Sequence, residues 1–128
     1  PLVLAEPRVC VTTWASGFRL GSTMEFAGYD DTLNRVRLDA LVRGATDFLH
    51  EPVGARHVED WWGWRPMTTD DLPILGASER VRGLWFATGH GMLGMSMSNA
   101  TAELVAAQML GQDTPLDPDP YRPNRFAL

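Results

Sequence analysis

The spacing of apolar residues changes several times along the chain, and each change marks an element. Over residues 8–15 the pattern alternates: Val9, Val11 and Thr13 fall on one face, Cys10, Thr12 and Trp14 on the other. Ser16-Gly17 marks a turn. The period of two resumes over 18–27, where Phe18, Leu20, Ser22, Met24 and Phe26 share a face. Two such runs about a short glycine turn predict a β-hairpin, with residues 1–7 as a lead-in. The period then lengthens. Leu38, Leu41, Val42, Ala45, Phe48 and Leu49 fall at i, i+3, i+4, i+7, i+10 and i+11, which predicts an amphipathic helix over 32–50. Asn34 and Asp31 are both candidate N-caps. Arg35, Asp39, Arg43 and Asp47 recur at steps of four on the other side and read as a solvated face. Gly44 lies inside this helix, at a cost of about 1 kcal/mol relative to alanine.

Residues 56–65 read as a tryptophan-rich strand. A regular pleat puts His57, Glu59, Trp61, Gly63 and Arg65 on one face, leaving space at Gly63 beside Arg65. Without further context, Arg65 there is a surface arginine ending a core strand. Pro66 and Pro73 bracket a turn-rich loop. Asp70-Asp71 within it suits turn chemistry better than a carboxylate pair for acid–base work. Residues 77–83 are a polar connection, and 84–87 are a short buried strand. Glycines at 89, 91 and 94 follow, then a helix over 95–110 with Met97, Ala100, Leu104 and Ala107 at helical spacing. Gly111 is its expected stop. The Pro- and Asp-rich stretch 112–128 reads as an extended tail. The expected fold is α+β: an antiparallel sheet from 8–15, 18–27 and 56–65, with the 32–50 helix on one face.

A chain of 128 residues holds one domain's worth of core at most. Its net charge of −5 argues against a nucleic-acid partner. All basic residues are arginine, so a lysine Schiff base, a P-loop lysine and a lysine general base are excluded. Cys10 is the lone cysteine and reads as a small core hydrophobe. His50, His57 and His90 lack metal-ligand spacing. No apolar run has the length of a membrane span, and no signal peptide is visible.

The segment 84–96 is a strand, a tight glycine turn and the start of a helix. Glycines permit positive φ and close backbone approach. A helix N-terminus presents unpaired N–H groups and the positive end of the dipole. The turn is equally readable as a plain βα loop, because glycine spacing alone is a weak signal.

The wider motif is more specific. Arg65, Pro66, Thr68, Asp70, Pro73, Leu75 and Gly76 fit Arg-Pro-x-Thr-x-Asp-x-x-Pro-x-(Ile/Leu)-Gly. Gly89, His90, Gly91 and Gly94 fit Gly-His-Gly-x-x-Gly. Together these resemble the C-terminal end of the FAD-dependent D-amino-acid oxidase superfamily, most of all bacterial D-amino-acid dehydrogenase small subunits. Glycine oxidases and sarcosine oxidases are at the edge of the match. Residues 18–30 are also similar to the substrate-domain hairpin of that group. Sarcosine oxidases carry a lysine in the turn matching 90–94, where this chain has Met92 and Leu93.

The resemblance implies a part of a flavoprotein that oxidises a D-amino acid, or a related amino or imino acid, by hydride transfer to FAD. It implies Arg65 and Met92 as substrate-binding residues, and His90, Gly91, Met92, Leu93, Gly94, Met95 and Ser96 as FAD contacts. No side chain is assigned proton transfer, and no metal is expected. By resemblance, 1–66 are a substrate-domain part, 67–111 hold the last strand and helix of a Rossmann-like FAD-binding domain, and 112–128 are a tail. The chain opens on Pro1 and lacks Gly-x-Gly-x-x-Gly, so a C-terminal piece of a longer protein is expected. The missing N-terminal FAD-binding portion is then its natural partner, and the isolated piece is expected to be inactive and prone to dimerise. The implied location is cytoplasmic or peripheral at the inner membrane, with a membrane electron acceptor in the latter case. The contrasting expectation is a standalone ligand-binding or interaction module without catalytic activity.

Overall fold

The computed structural model describes residues 1–126. They form two compact units, one ending at Gly63 and one starting at Trp64.

The first unit is a three-stranded antiparallel sheet with a helix on it. Strands β1 (Leu2–Leu4), β2 (Val9–Trp14) and β3 (Gly17–Gly21) lie in the order β1-β2-β3. Two residues, Ala15 and Ser16, join β2 to β3, with Trp14 paired to Gly17 and Val11 to Leu20. The alternation expected of β2 is present: Val9 and Val11 are buried, Cys10 and Thr12 less so. Helix α1 (Arg35–Thr46) starts at Asn34, whose side chain accepts the Arg37 N–H at 3.3 Å. Leu4, Val9, Val11 and Ala45 are buried together, with Leu20, Leu41 and Leu49 packed against them.

Four expectations for this unit are corrected. The lead-in contains a strand, since Leu2, Val3 and Leu4 pair with Val11, Cys10 and Val9. Strand β3 stops at Gly21 instead of reaching residue 27. Gly21 pairs with Cys10, and β2 offers only Val9 beyond that before the chain turns at Arg8, φ 55°. Ser22, at φ 104°, also leaves the extended region, and Phe26 is exposed. The helix occupies 35–46 of the expected 32–50, bounded by the Asn34 cap and by Thr46, whose hydroxyl bonds back to the Val42 carbonyl at 2.9 Å. Residues 56–65 are not a strand. β1 and β3 occupy both edges of β2, and side chains hold the 56–63 segment instead. Asp60 bonds to the His57 ring at 2.9 Å and to Arg35. The Arg19 guanidinium stacks between Trp14 and Trp61, 5.2 Å and 4.8 Å from their ring centres.

The second unit contains a hairpin and a long helix. β4 (Ile74–Ala77) pairs antiparallel with β5 (Trp85–Thr88), Leu75 opposite Ala87. The sequence pattern anticipates β5 but not β4, and β5 is only half-buried. Helix α2 (Gly94–Leu110) buries Leu104 and Ala107 and packs on β4. It ends as expected at Gly111, φ 64°, where the Gln112 N–H reaches back to the Ala107 carbonyl at 2.9 Å. The tail is not simply extended: short 3₁₀ turns at Asp119–Tyr121 and Pro123–Arg125 pack on β4.

Gly44 has a packing reason. A Cβ there would lie 2.8 Å from Pro7 Cβ and 3.1 Å from Val9 Cγ2. Alanine would favour the helix by about 1 kcal/mol, but overpacking costs about 1–3 kcal/mol. The expected outcome for Gly44→Ala is a net loss of stability of up to about 2 kcal/mol. Urea denaturation checks the sign, because a gain would mean that α1 moves away from Pro7 freely.

Candidate functional site

The second unit brings the two halves of the sequence motif into one structure. Turn chemistry shapes the first half. The Thr68 hydroxyl donates to the Leu72 carbonyl at 2.7 Å, and Asp70 Oδ1 accepts the Leu72 N–H at 3.1 Å. Asp71 sits at φ 59°, a strained region that its short polar side chain tolerates. The second half is seated against this loop. Gly91 donates its N–H to the Pro66 carbonyl at 3.0 Å. At Gly89, φ 79°, an added Cβ would fall 2.8 Å from Thr68 Cγ2 and 3.7 Å from Pro73 Cα. At Gly91 it would come within 3.5 Å of Asp71 Oδ1. Gly89 therefore serves close packing as well as the bend, whereas a Cβ at Gly91 would make only an ordinary contact and its glycine serves the positive φ.

This seat holds Pro66, and with it the backbone of Arg65, beside the entrance to α2. Arg65 is exposed, and among the described residues nothing pairs with its guanidinium. His90 points to α2: its Nε2 lies 2.9 Å from Thr101 Oγ1. That contact fixes the turn to the helix. An open groove of about 440 Å³ runs along this face, lined by Ala87, His90, Gly94, Ser98, Thr101 and Met109, among others.

The helix entrance is exposed in backbone and side chain alike. Leu93, at the N-cap, makes no capping hydrogen bond, and the first intrahelical donor is Met97, to the Leu93 carbonyl. The N–H groups of Gly94, Met95 and Ser96 therefore have no acceptor among the described residues. Those of Gly91 and Leu93 are spent on Pro66 and His90. Met92 and Met95 are 76% and 91% exposed. Of the expected contact stretch 90–96, Gly91 and Leu93 thus have their donors spent, and the three N–H groups at the entrance of α2 stand open.

Sequence reasoning missed Arg125, assigned to a tail. Its guanidinium grips Asp70 with two hydrogen bonds, Nε to Oδ2 at 2.7 Å and Nη2 to Oδ1 at 3.1 Å. Nη2 also donates to the Leu72 carbonyl at 2.7 Å, and Nη1 to the carbonyls of Tyr121 and Arg122. A forked pair of this kind is the strongest arrangement available to a carboxylate. No spacing signal connects residues 55 apart, so only the Arg-Pro-x-Thr-x-Asp pattern hinted at Asp70.

A family model described as FAD dependent oxidoreductase matches residues 1–108 of this chain. The chain belongs to that family. Curated relatives agree with this placement. The D-amino acid dehydrogenase of Chromohalobacter salexigens is 38% identical over 120 residues, covering 94% of this chain and 28% of the relative. The glycine oxidase of Pseudomonas putida is 34% identical over 122 residues, 95% of this chain and 33% of the relative. The D-amino acid dehydrogenase of Neisseria gonorrhoeae is 33% identical over 119 residues, 93% and 28%. The chain thus spans about a third or less of the length of these relatives. No solved structure matches it. Among the described residues no helix is long and apolar enough to cross a membrane.

The Arg125 hydrogen bonds hold the Asp70 carboxyl well below the usual carboxylate range, aided by the Leu72 N–H and Thr68 and opposed by burial. The folded-state pKa lies below the unfolded value of about 3.9. The stabilisation is therefore fully present above that value and is lost as pH falls below it. Asp70→Asn should lower the melting temperature at pH 7, and the gap to wild type should narrow below about pH 4. Thermal melts at pH 7 and pH 3 check this; a constant gap would count against it.

Proposed function

We propose that this chain supplies the substrate-carboxylate anchor and part of the flavin contact of an oxidoreductase acting on a D-amino acid or a related amino acid. The observation that carries the reading is the Gly91–Pro66 hydrogen bond at 3.0 Å, which joins the backbone next to Arg65 to the entrance of α2. An arginine and a set of N–H donors, all without partners among the described residues of one unit, suit two different anionic groups.

Arg65 is suited to the α-carboxylate. Its planar fork makes two parallel charged hydrogen bonds, which fix both distance and orientation. Holding the α-carbon in one place is itself a large part of what such a reaction needs. The N–H groups of Gly94, Met95 and Ser96, at the positive end of α2, suit an electron-rich ring edge that gains charge. The exposed Met92, Leu93 and Met95 offer apolar surface to a ring system or to a substrate side chain. These residues fit FAD, and when bound FAD supplies the two-electron acceptor for a hydride from the α-carbon. The organic product is an imino acid, which water converts to a 2-oxo acid and ammonia. His90 needs no proton-transfer role here, since its Nε2 is engaged by Thr101.

On this reading, residues 1–66 belong to a substrate domain and 67–111 to the last strand and helix of a Rossmann-like FAD-binding domain, the rest of which lies in another part of the polypeptide. A cytoplasmic or inner-membrane-peripheral location and a membrane electron acceptor belong to the same reading. A family of this kind, with curated relatives named for both D-amino acids and glycine, leaves the side chain of the substrate as the property to measure.

Arg65 gives the test. Charged hydrogen bonds contribute about 1.5–3 kcal/mol each. Losing one or two implies a fall in kcat/KM of roughly tenfold to twenty-thousand-fold in the flavin-loaded enzyme. Arg65→Lys should fall less than Arg65→Ala, and flavin content should hold. Wild type should prefer a D-amino acid strongly over its carboxamide, and Arg65→Ala should lose most of that preference. Undiminished discrimination in the alanine variant would remove Arg65 as the anchor.

A further inference from the structure

The strongest polar cluster of the second unit lies outside the residues assigned to substrate and flavin. Arg125 makes five hydrogen bonds, two to Asp70 and one each to the carbonyls of Leu72, Tyr121 and Arg122. Its side chain is only 11% exposed. A surface ion pair contributes little, but this one is forked, largely sheltered and shared with backbone carbonyls. The Glu79 carboxylate and the Asn124 amide add a second tie between the 3₁₀ turn at Pro123–Arg125 and the hairpin.

What Arg125 holds is the loop that seats the glycine turn. The Leu72 carbonyl accepts from both Arg125 Nη2 and the Thr68 hydroxyl, each at 2.7 Å. The Thr68 methyl is the surface against which Gly89 packs. The neighbouring Asp71 carboxylate borders Gly91, whose N–H is bonded to the Pro66 carbonyl. The contacts run without a break from Arg125 through 68–72 to Gly89, Gly91 and Pro66.

We propose that Arg125 is a positioning residue: it fixes the 66–73 loop, and through it the register between Arg65 and the entrance of α2. The proposal rests on the reading of Arg65 as the carboxylate anchor. The C-terminal segment is then part of the substrate site's support. Removing the guanidinium frees Asp70 and one acceptor site on Leu72, so the loop opens more often and the Gly91–Pro66 bond opens with it. Arg65 keeps its fork but samples more positions, which weakens carboxylate binding before it slows the chemical step.

The experiment uses the flavin-loaded enzyme that carries this chain, with the variants Arg125→Ala, Arg125→Lys and Asp70→Asn. Amide hydrogen exchange is read at Asp71, Leu72 and Gly91, and steady-state kinetics with D-alanine as the probe. For Arg125→Ala, exchange at these three amides should rise about ten- to a hundred-fold, the equivalent of one charged hydrogen bond. Exchange in β1, β2, β3 and α1 should not change. KM for D-alanine should rise by about tenfold or more, with a smaller change in kcat. Arg125→Lys keeps the charge without the fork and should fall between wild type and alanine, which preserves the comparison if the alanine variant does not fold. Asp70→Asn keeps the Leu72 contact of Arg125 and should likewise shift exchange and KM less than Arg125→Ala. Faster exchange confined to residues 119–125 would overturn the proposal, as would faster exchange at Gly91 with KM unmoved. If Arg65→Ala keeps its carboxylate preference while Arg125→Ala still loosens Gly91, the Arg65 reading has failed and the mechanical link stands.

Discussion

The backbone at Gly89 and Gly91 lies against the 66–73 loop more closely than any side chain at position 89 would allow. That approach organises the second unit. It lets the Gly91 N–H reach the Pro66 carbonyl, puts Thr68 and Pro73 over Gly89, and delivers the chain into α2 with its first N–H groups still open. Both glycines have positive φ, which a residue with a Cβ adopts at a cost of roughly 1–2 kcal/mol. At position 89, steric contact and backbone conformation demand the same residue.

The family motif gains a physical meaning from this contact. Arg-Pro-x-Thr-x-Asp and Gly-His-Gly-x-x-Gly are two surfaces of one packed turn. Thr68 supplies a hydroxyl to the loop and a methyl group to Gly89. Asp70 supplies its carboxylate to the Leu72 N–H and to Arg125. His90 ties the turn to Thr101 on α2. Few of these residues need to touch a substrate for the motif to be required. Arg65, whose guanidinium has no partner among the described residues, stands at the end of this scaffold.

Periodicity made the local elements legible, and chain topology hid the rest. Alternation in β2 and the i, i+3, i+4 spacing of α1 each reflect one buried face, which a linear pattern records directly. The Asn34 and Gly111 caps are likewise local chemistry. The 56–65 stretch misled because its tryptophans mimic a buried strand, whereas Trp61 is stacked on a guanidinium from β3. β4 escaped notice because Pro73 and Gly76 flank or interrupt four residues, and only pairing with β5 makes them a strand. Most of the candidate site was legible through resemblance to a family, since its residues recur as a pattern. Arg125 was not, because its partner lies far away in the chain and no period links them.

The most direct measurement is a double-mutant cycle at the point of closest approach. Gly89→Ala, Thr68→Ser and the combined variant would be compared by equilibrium denaturation. Thr68→Ser removes the methyl group that blocks a Cβ at 89 but keeps the hydroxyl that bonds Leu72. If the two motifs form one packed surface, Gly89→Ala should be severely destabilising alone. Its cost should drop by about 1 kcal/mol or more when it is combined with Thr68→Ser. A remaining loss of roughly 1–2 kcal/mol would reflect positive φ. Strictly additive effects would show that Thr68 and Gly89 do not press on each other, and would contradict the account.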